Sequence, residues 1–377
     1  MRTKEELQEE RINWADIAKG IGIVLVLLGH APRDIMRMQY PLIDFLYYFI
    51  YSFHMPLFFF LSGMIFGNTQ IKKPSKSFFA FLKKKVRALL IPWLSFSILI
   101  YLVIGTLNSM PSIKKMLQGT FMEGMDIHSY VKLCIGGENP YCIHLWYIYT
   151  LFFIQIFVFL IFRLYQMVTK RIAMSHRGIR ILGSMAIIIF LLMPGSLPVC
   201  VNIKSYLIYY VLGINCAYGQ QRIKMKFSLW MIVGVLLCAA NALVVNMNKL
   251  NLHMMQTVIY HATAFIGVPI MILFVCSLAK KMEKNRWLLW LGKNSFGIYL
   301  LHQPFCCAVL GTMFLMVLPY KLVSYLAIMA VCIMASVIFP FGITELAWRL
   351  KLDTLLKTLF GVERMRGVPW KKDYDEK

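Results

Sequence analysis

Three ionisable side chains stand inside or at the edge of one apolar run near the start of the chain. They are Asp16, Lys19 and His30, in Trp14-Ala-Asp-Ile-Ala-Lys-Gly-Ile-Gly-Ile-Val-Leu-Val-Leu-Leu-Gly-His30. A neutral imidazole is the usual general base near neutral pH, suited to taking the proton of a hydroxyl as that hydroxyl attacks an electrophile. Asp16 and Lys19 are three residues apart, so on a helix they share a face and suit an ion pair. Lys19 and His30 are eleven apart, which at 3.6 residues per turn returns almost to the same face, about 16 Å further along. The blander alternative makes Lys19 a cation that snorkels to lipid headgroups and Asp16 a helix cap.

Further polar residues recur in later apolar runs, where ionisable groups are functional hypotheses by default. His54 precedes Pro56 in Ser52-Phe-His-Met-Pro56, and Ser62 follows a phenylalanine run that reads as packing or lipid-facing surface. Pro56 removes a backbone donor and predicts a kink with a polar pocket beside His54. Lys84 and Arg87, in Phe81-Leu-Lys-Lys-Lys-Val-Arg87, lie on one helix face. They suit either phosphate groups or anionic lipid. His144 opens His144-Leu-Trp-Tyr147, whose Trp and Tyr also fit ordinary interfacial anchors. His302 ends Ser295-Phe-Gly-Ile-Tyr-Leu-Leu-His302, just before Pro304. His54, Ser62, His144, Tyr147 and His302 are candidate contacts for an acceptor or donors to a developing oxyanion.

The elements that must hold these residues are set by composition. Of 377 residues, 59% are hydrophobic and 15% charged, with mean hydropathy +0.65; a soluble domain carries about a quarter charged residues. About ten stretches approach the roughly 20 apolar residues a bilayer span needs. They lie near 16–32, 42–67, 88–105, 144–164, 181–197, 205–219, 228–246, 257–279, 295–317 and 322–343. The expected fold is an all-α integral membrane protein of about ten transmembrane helices, with both termini cytoplasmic. A membrane domain would cover 1–343 and a basic cytoplasmic tail 344–377.

The net charge of +23 fits topology better than nucleic-acid binding. Lys72, Lys73, Lys76, Lys83, Lys84, Lys85 and Arg87 crowd one connection, and Lys280, Lys281, Lys284 and Arg286 another, as the positive-inside rule requires of cytoplasmic loops. The first apolar stretch follows the mixed-charge segment Met1–Arg11 and ends in Gly29-His-Ala-Pro32 without the small-residue cleavage pattern of a secretory signal, so the N-terminus is expected to be retained. Nine cysteines show no metal-like spacing, and no metal is expected. Cys134 and Cys142 share one connection and are a possible disulfide in an oxidising compartment. That long connection, 106–143, suits a cap over the outer face.

Taken in order, these segments resemble the membrane acyltransferase-3 family, more narrowly its stand-alone, fucose 4-O-acetylase-like members. The similarity runs from about Asn13 to Phe341. Asp16-x-x-Lys19-Gly20 with Gly29-His30 is similar to the family's basic residue, gap and histidine. Phe53-His-Met-Pro56 through Ser62-Gly63 resembles its second-helix signature. Lys84-x-x-Arg87 with Pro92-Trp93 resembles its RxxR element, with Lys replacing the first Arg. Leu145-Trp-Tyr-Ile148 and Ser295 through His302 match later motifs.

The resemblance implies transfer from acetyl-CoA or another acyl-CoA to a hydroxyl of a sugar, glycolipid or other component of a bacterial cell envelope. On this reading His30 is the base or acyl relay, Lys19 a donor- or charge-stabilising partner beside Asp16, and Lys84 with Arg87 the contacts for CoA phosphates. The partners are then the bilayer and a carbohydrate or glycolipid acceptor, and no oligomeric state is implied. Some members carry a fused extracytoplasmic esterase-like domain; here direct delivery to the acceptor is the simpler expectation. The rival class is a transporter or flippase for a glycolipid or polar small molecule, because buried His, Lys and Asp also line proton-coupled pathways.

Overall fold

Within a bilayer every backbone N–H and C=O must find a partner inside the protein, and a helix does this within one segment. The computed structural model describes residues 4–71, 77–117, 123–169, 178, 181, 183–185, 188, 192, 198–218, 229–246 and 253–365. Among these residues there is no strand. The bounded helices are α1 (Lys4–His30), α2 (Asp34–Gln39), α3 (Pro41–Phe66), α4 (Phe78–Lys85), α5 (Ile91–Ser109), α6 (Pro111–Leu117), α7 (Ile127–Gly136), α8 (Trp146–Thr169) and α9 (Pro198–Tyr218). They continue with α10 (Leu229–Asn246), α11 (His253–Ala262), α12 (Val268–Lys281), α13 (Arg286–Lys293), α14 (Ser295–Leu301), α15 (Leu310–Val317), α16 (Leu322–Arg349) and α17 (Asp353–Phe360).

Seven helical stretches among the described residues are long and apolar enough to cross a membrane: Pro41–Thr69, Phe78–Ser109, Ile143–Thr169, Val199–Ala217, Val258–Lys281, Ser295–Val317 and Leu322–Arg349. The chain is an all-α integral membrane protein. α1 occupies the expected first span and carries Asp16 and Lys19 within it, while α10 is a shorter apolar helix. The expected span at 181–197 falls mostly outside the described residues.

Proline shapes several of these helices. Its ring crowds the carbonyl four residues back, and it donates no hydrogen bond. Val86–Leu90 is a π-turn in which the Ile91 N–H reaches Val86, and Pro92 follows at once. Thr263–Gly267 repeats the arrangement before Pro269. Such turns carry one residue more than a regular helical turn and so relieve the crowding. α3, by contrast, remains one α-helix through Pro56, where the sequence suggested a kink.

The chain divides into two compact units. One comprises Met1–Leu61, Gln220–Glu345 and Arg364–Lys377; the other comprises Ser62–Gly219 and Leu346–Glu363.

In the first unit α1 packs along α13. Lipid is as apolar as leucine, so helices in a bilayer gain more from close contact than from hydrophobic transfer. Glycine supplies that contact twice here. A Cβ on Gly20 would fall on the Leu288 carbonyl, and one on Gly292 on the Asp16 carbonyl. Nearby, Ala31, Met36, Ile43, Cys307, Tyr325, Ile328 and Cys332 form a buried cluster that ties α2 to α16. The Tyr325 hydroxyl donates to Gln39 Oε1 at 2.7 Å. Arg364 forks onto the Glu345 carboxylate at 2.9 and 3.2 Å and closes the chain back onto the end of α16.

In the second unit Phe81 and Phe159 stack face to face at 4.0 Å, joining α4 to α8. α17 lies on α5, with Phe360 edge-on to Phe96. The 106–143 connection contains α6 and α7. α7 starts where the Asp126 carboxylate accepts from the Ser129 N–H, and ends at Gly137 with φ +96°. Asn139 is its keystone. Its amide donates to Ser97 Oγ at 3.0 Å and Tyr130 Oη at 2.9 Å, and its carbonyl accepts from the N–H groups of Tyr141 and Cys142 at 3.0 and 2.8 Å. Cys134 and Cys142 are buried free thiols. Burial pushes both thiols above their ordinary range, and Cys134 adds to the effect on Cys142.

Candidate active site

α1 ends at His30, α3 carries Tyr51 and His54, and α14 delivers His302. The first unit thus gathers three histidines that are far apart in sequence. The rings of His30 and His302 lie 5.1 Å apart at 56°. Tyr51 Oη stands 3.1 Å from His30 Nδ1, and the Tyr51 ring meets His54 edge-on at 4.8 Å. His54 is 1% and His302 0% exposed, whereas His30 is half-buried.

Hydrogen bonding separates the three rings. His54 Nδ1 lies 2.9 Å from the Ile50 carbonyl, and His302 Nδ1 lies 2.6 Å from the Tyr299 carbonyl. A carbonyl can only accept, so each Nδ1 carries the proton; in the neutral ring the lone pair is left on Nε2. The end of α14 explains the place of His302. Pro304 forces the residue before it out of helical conformation, and Gln303 is extended, with φ −115° and ψ 147°.

Asp16 and Lys19 form the ion pair anticipated from their spacing, with Lys19 Nζ 2.8 Å from Asp16 Oδ1. α1 keeps that pair about 16 Å from His30 along its axis. In the second unit Ser62 Oγ and Tyr147 Oη are 3.2 Å apart. His144 is buried at the start of α8, edge-on to Phe96. Lys84 and Arg87 are both exposed, Lys84 in the last turn of α4 and Arg87 in the π-turn that follows.

Two features escaped the sequence reading. Tyr51 touches His30 across 21 positions and gave no signal within its aromatic run. Tyr210 Oη, Thr150 Oγ1 and Gln155 Oε1 are buried oxygens with no hydrogen-bond partner among the described residues. Tyr210 is hidden in an apolar stretch whose only marker is a paired tyrosine.

A family model described as an acyltransferase domain, of the acyltransferase-3 type, matches residues 12–345. The chain belongs to the acyltransferase-3 family. It is a membrane acyltransferase, acting with acyl groups other than aminoacyl groups. No curated protein and no solved structure matched the chain. The matched span of this acyltransferase contains all three clustered histidines, the Asp16–Lys19 pair, and Lys84 with Arg87. Membership displaces the transporter reading, because a group-transfer enzyme needs a base and charge-stabilising groups, and the buried ionisable residues supply those types.

Proposed function

We propose that this acyltransferase moves an acyl group, acetyl foremost, from acyl-CoA to a hydroxyl of a sugar, glycolipid or other envelope component of a bacterial cell. The observation that carries the proposal is the half-buried His30 imidazole beside two fully buried histidines. His30 Nε2 accepts the proton of the acceptor hydroxyl as its oxygen attacks the thioester carbon. The tetrahedral oxyanion collapses, the C–S bond breaks, and the imidazolium returns the proton to the departing thiolate.

Lys19 with Asp16 is the charge-stabilising pair of this reading, and Lys84 with Arg87 hold the CoA phosphates. The exposure of those two cations suits contact with a soluble donor. Ser62, Tyr147, His144 and His54 are the proposed contacts for acyl group or acceptor, each supported by burial or by a hydroxyl pair inside a span. The similarity to fucose 4-O-acetylase-like members supports a sugar acceptor. The basic connections support cytoplasmic placement of both termini.

Mass spectrometry of surface glycans and lipids from cells with and without the gene tests the acceptor class. One acyl group should disappear, and an unchanged acyl complement would remove the proposal. Purified His30→Ala should lose transfer by about a hundredfold or more; normal acyl-CoA-dependent transfer would remove His30 from its role.

A further inference from the structure

His54 and His302 each rest on a backbone carbonyl, which fixes their tautomers. His30 does not. Its Nδ1 faces the Tyr51 hydroxyl at 3.1 Å, a group that can either donate or accept. If Tyr51 donated, the neutral His30 would carry its proton on Nε2 and could take up no other there. If Tyr51 accepts, Nδ1 holds the proton and Nε2 keeps the lone pair. The fate of the Tyr51 proton thus decides whether Nε2 can act as a base.

The surroundings of Tyr51 hold its ring in place. It stacks on Tyr47, one turn earlier on α3, at 4.1 Å and 26°. The Arg37 guanidinium lies 3.6 Å from the centroid of the Tyr47 ring. Two groups at those distances cannot share one face, so Tyr47 is sandwiched between Arg37 and Tyr51. Arg37 is pinned in turn, with Nε donating to Asp44 at 2.8 Å and Nη1 to Asp34 at 3.3 Å. A cation over a tyrosine ring is held by the negative face of the ring. The Tyr47 faces are therefore occupied and unavailable to a sugar ring. Gly29 completes the arrangement, since a Cβ there would stand 3.0 Å from the Tyr51 ring.

We infer that Tyr51 is the positioning residue of His30: its hydroxyl accepts the Nδ1 proton, holds the lone pair on Nε2, and is itself fixed by the Arg37–Tyr47 stack. The inference rests on His30 being the base. Tyr51 accepts from Nδ1 both before and after Nε2 is protonated, so it keeps its own proton throughout. Arg37, Tyr47 and Tyr51 form a support that reaches the imidazole from α2 and the first turns of α3.

The test is nitrogen NMR of detergent-solubilised protein with ¹⁵N-labelled histidine, the His30 signals being identified by their loss in His30→Gln. The native protein should show His30 with a protonated Nδ1 and an unprotonated Nε2. Tyr51→Phe keeps the ring and removes only the hydroxyl; it should turn the His30 pattern into a mixture of tautomers while leaving His54 and His302 unchanged. An unaltered His30 pattern overturns the inference. Turnover is read alongside with acetyl-CoA and an alkyl glucoside as hydroxyl acceptor. Tyr51→Phe should lower kcat about tenfold to a hundredfold with KM unchanged, and Arg37→Ala should do so by less, with partial recovery in Arg37→Lys. A KM that rises in step with the loss overturns the inference by making Tyr51 a substrate contact. The two readings fail separately. An active His30→Ala refutes the base, whereas a dead His30→Ala beside a fully active Tyr51→Phe refutes only the positioning.

Discussion

The Nδ1 atom of His302 lies 2.6 Å from the carbonyl oxygen of Tyr299, three residues earlier in the chain. That bond uses one ring nitrogen for structure, and the ring lies 5.1 Å from that of His30. His302→Asn keeps an amide donor at the position of Nδ1 and deletes Nε2. Its thermal midpoint in detergent should stay within a few degrees of the parent while turnover falls about tenfold or more. His302→Leu should lower both. Parental turnover in the Asn variant would detach His302 from the reaction.

The Asp16–Lys19 pair is 2.8 Å long and only partly exposed. Removing one partner strands a charge in an apolar setting, at a cost of about 1–3 kcal/mol. Lys19→Met or Asp16→Asn alone should therefore lower the thermal midpoint, and the double variant should recover much of the loss. Turnover should not recover with it, because the proposed charge-stabilising role needs the lysine. Full recovery of turnover in the double variant would reduce the pair to a structural device.

Asn139 uses its whole side-chain amide in four hydrogen bonds. Asn139→Leu leaves Ser97, Tyr130 and two backbone N–H groups without those bonds, for a loss of about 3–4 kcal/mol at roughly 1 kcal/mol each. Limited proteolysis should then cut between residues 123 and 143 at protease levels that spare the parent. Equal resistance would show that the network is dispensable.

Cys134 and Cys142 should alkylate slowly. Only the thiolate reacts, and burial holds both thiols above their ordinary range. A raised pKa means less thiolate at any given pH, so their rate profiles with iodoacetamide should lie at higher pH than that of a free peptide thiol. Peptide mass spectrometry reads each site separately. Rates at pH 7 equal to the free thiol would contradict the burial described for α7.

Much of the architecture could be read from apolar length alone, because a span must be helical and uninterrupted by charge. The Asp16–Lys19 pair was equally accessible, since a helix places residues three apart side by side. Tyr51 was not. Its neighbours Phe45, Tyr47, Tyr48, Phe49 and Phe53 make one more aromatic residue unremarked, and its contact with His30 exists only once α1 and α3 pack together. Tyr210 was hidden for the same reason. The π-turn at Val86–Leu90 was not legible from spacing, because it forms where Pro92 crowds a regular turn, whereas α3 remains one α-helix through Pro56.

The π-turn at Val86–Leu90 fits one residue more into a helical turn than an α-helix does. Removing that surplus residue would leave a regular turn, and the helix on either side would keep nearly the same facing. No charge would be added or lost, and the hydropathy of the segment would hardly change. The segment can thus shed a residue here without turning the lysines of α4 relative to Trp93, whereas a deletion inside the regular part of the span would rotate what precedes it by roughly 100°.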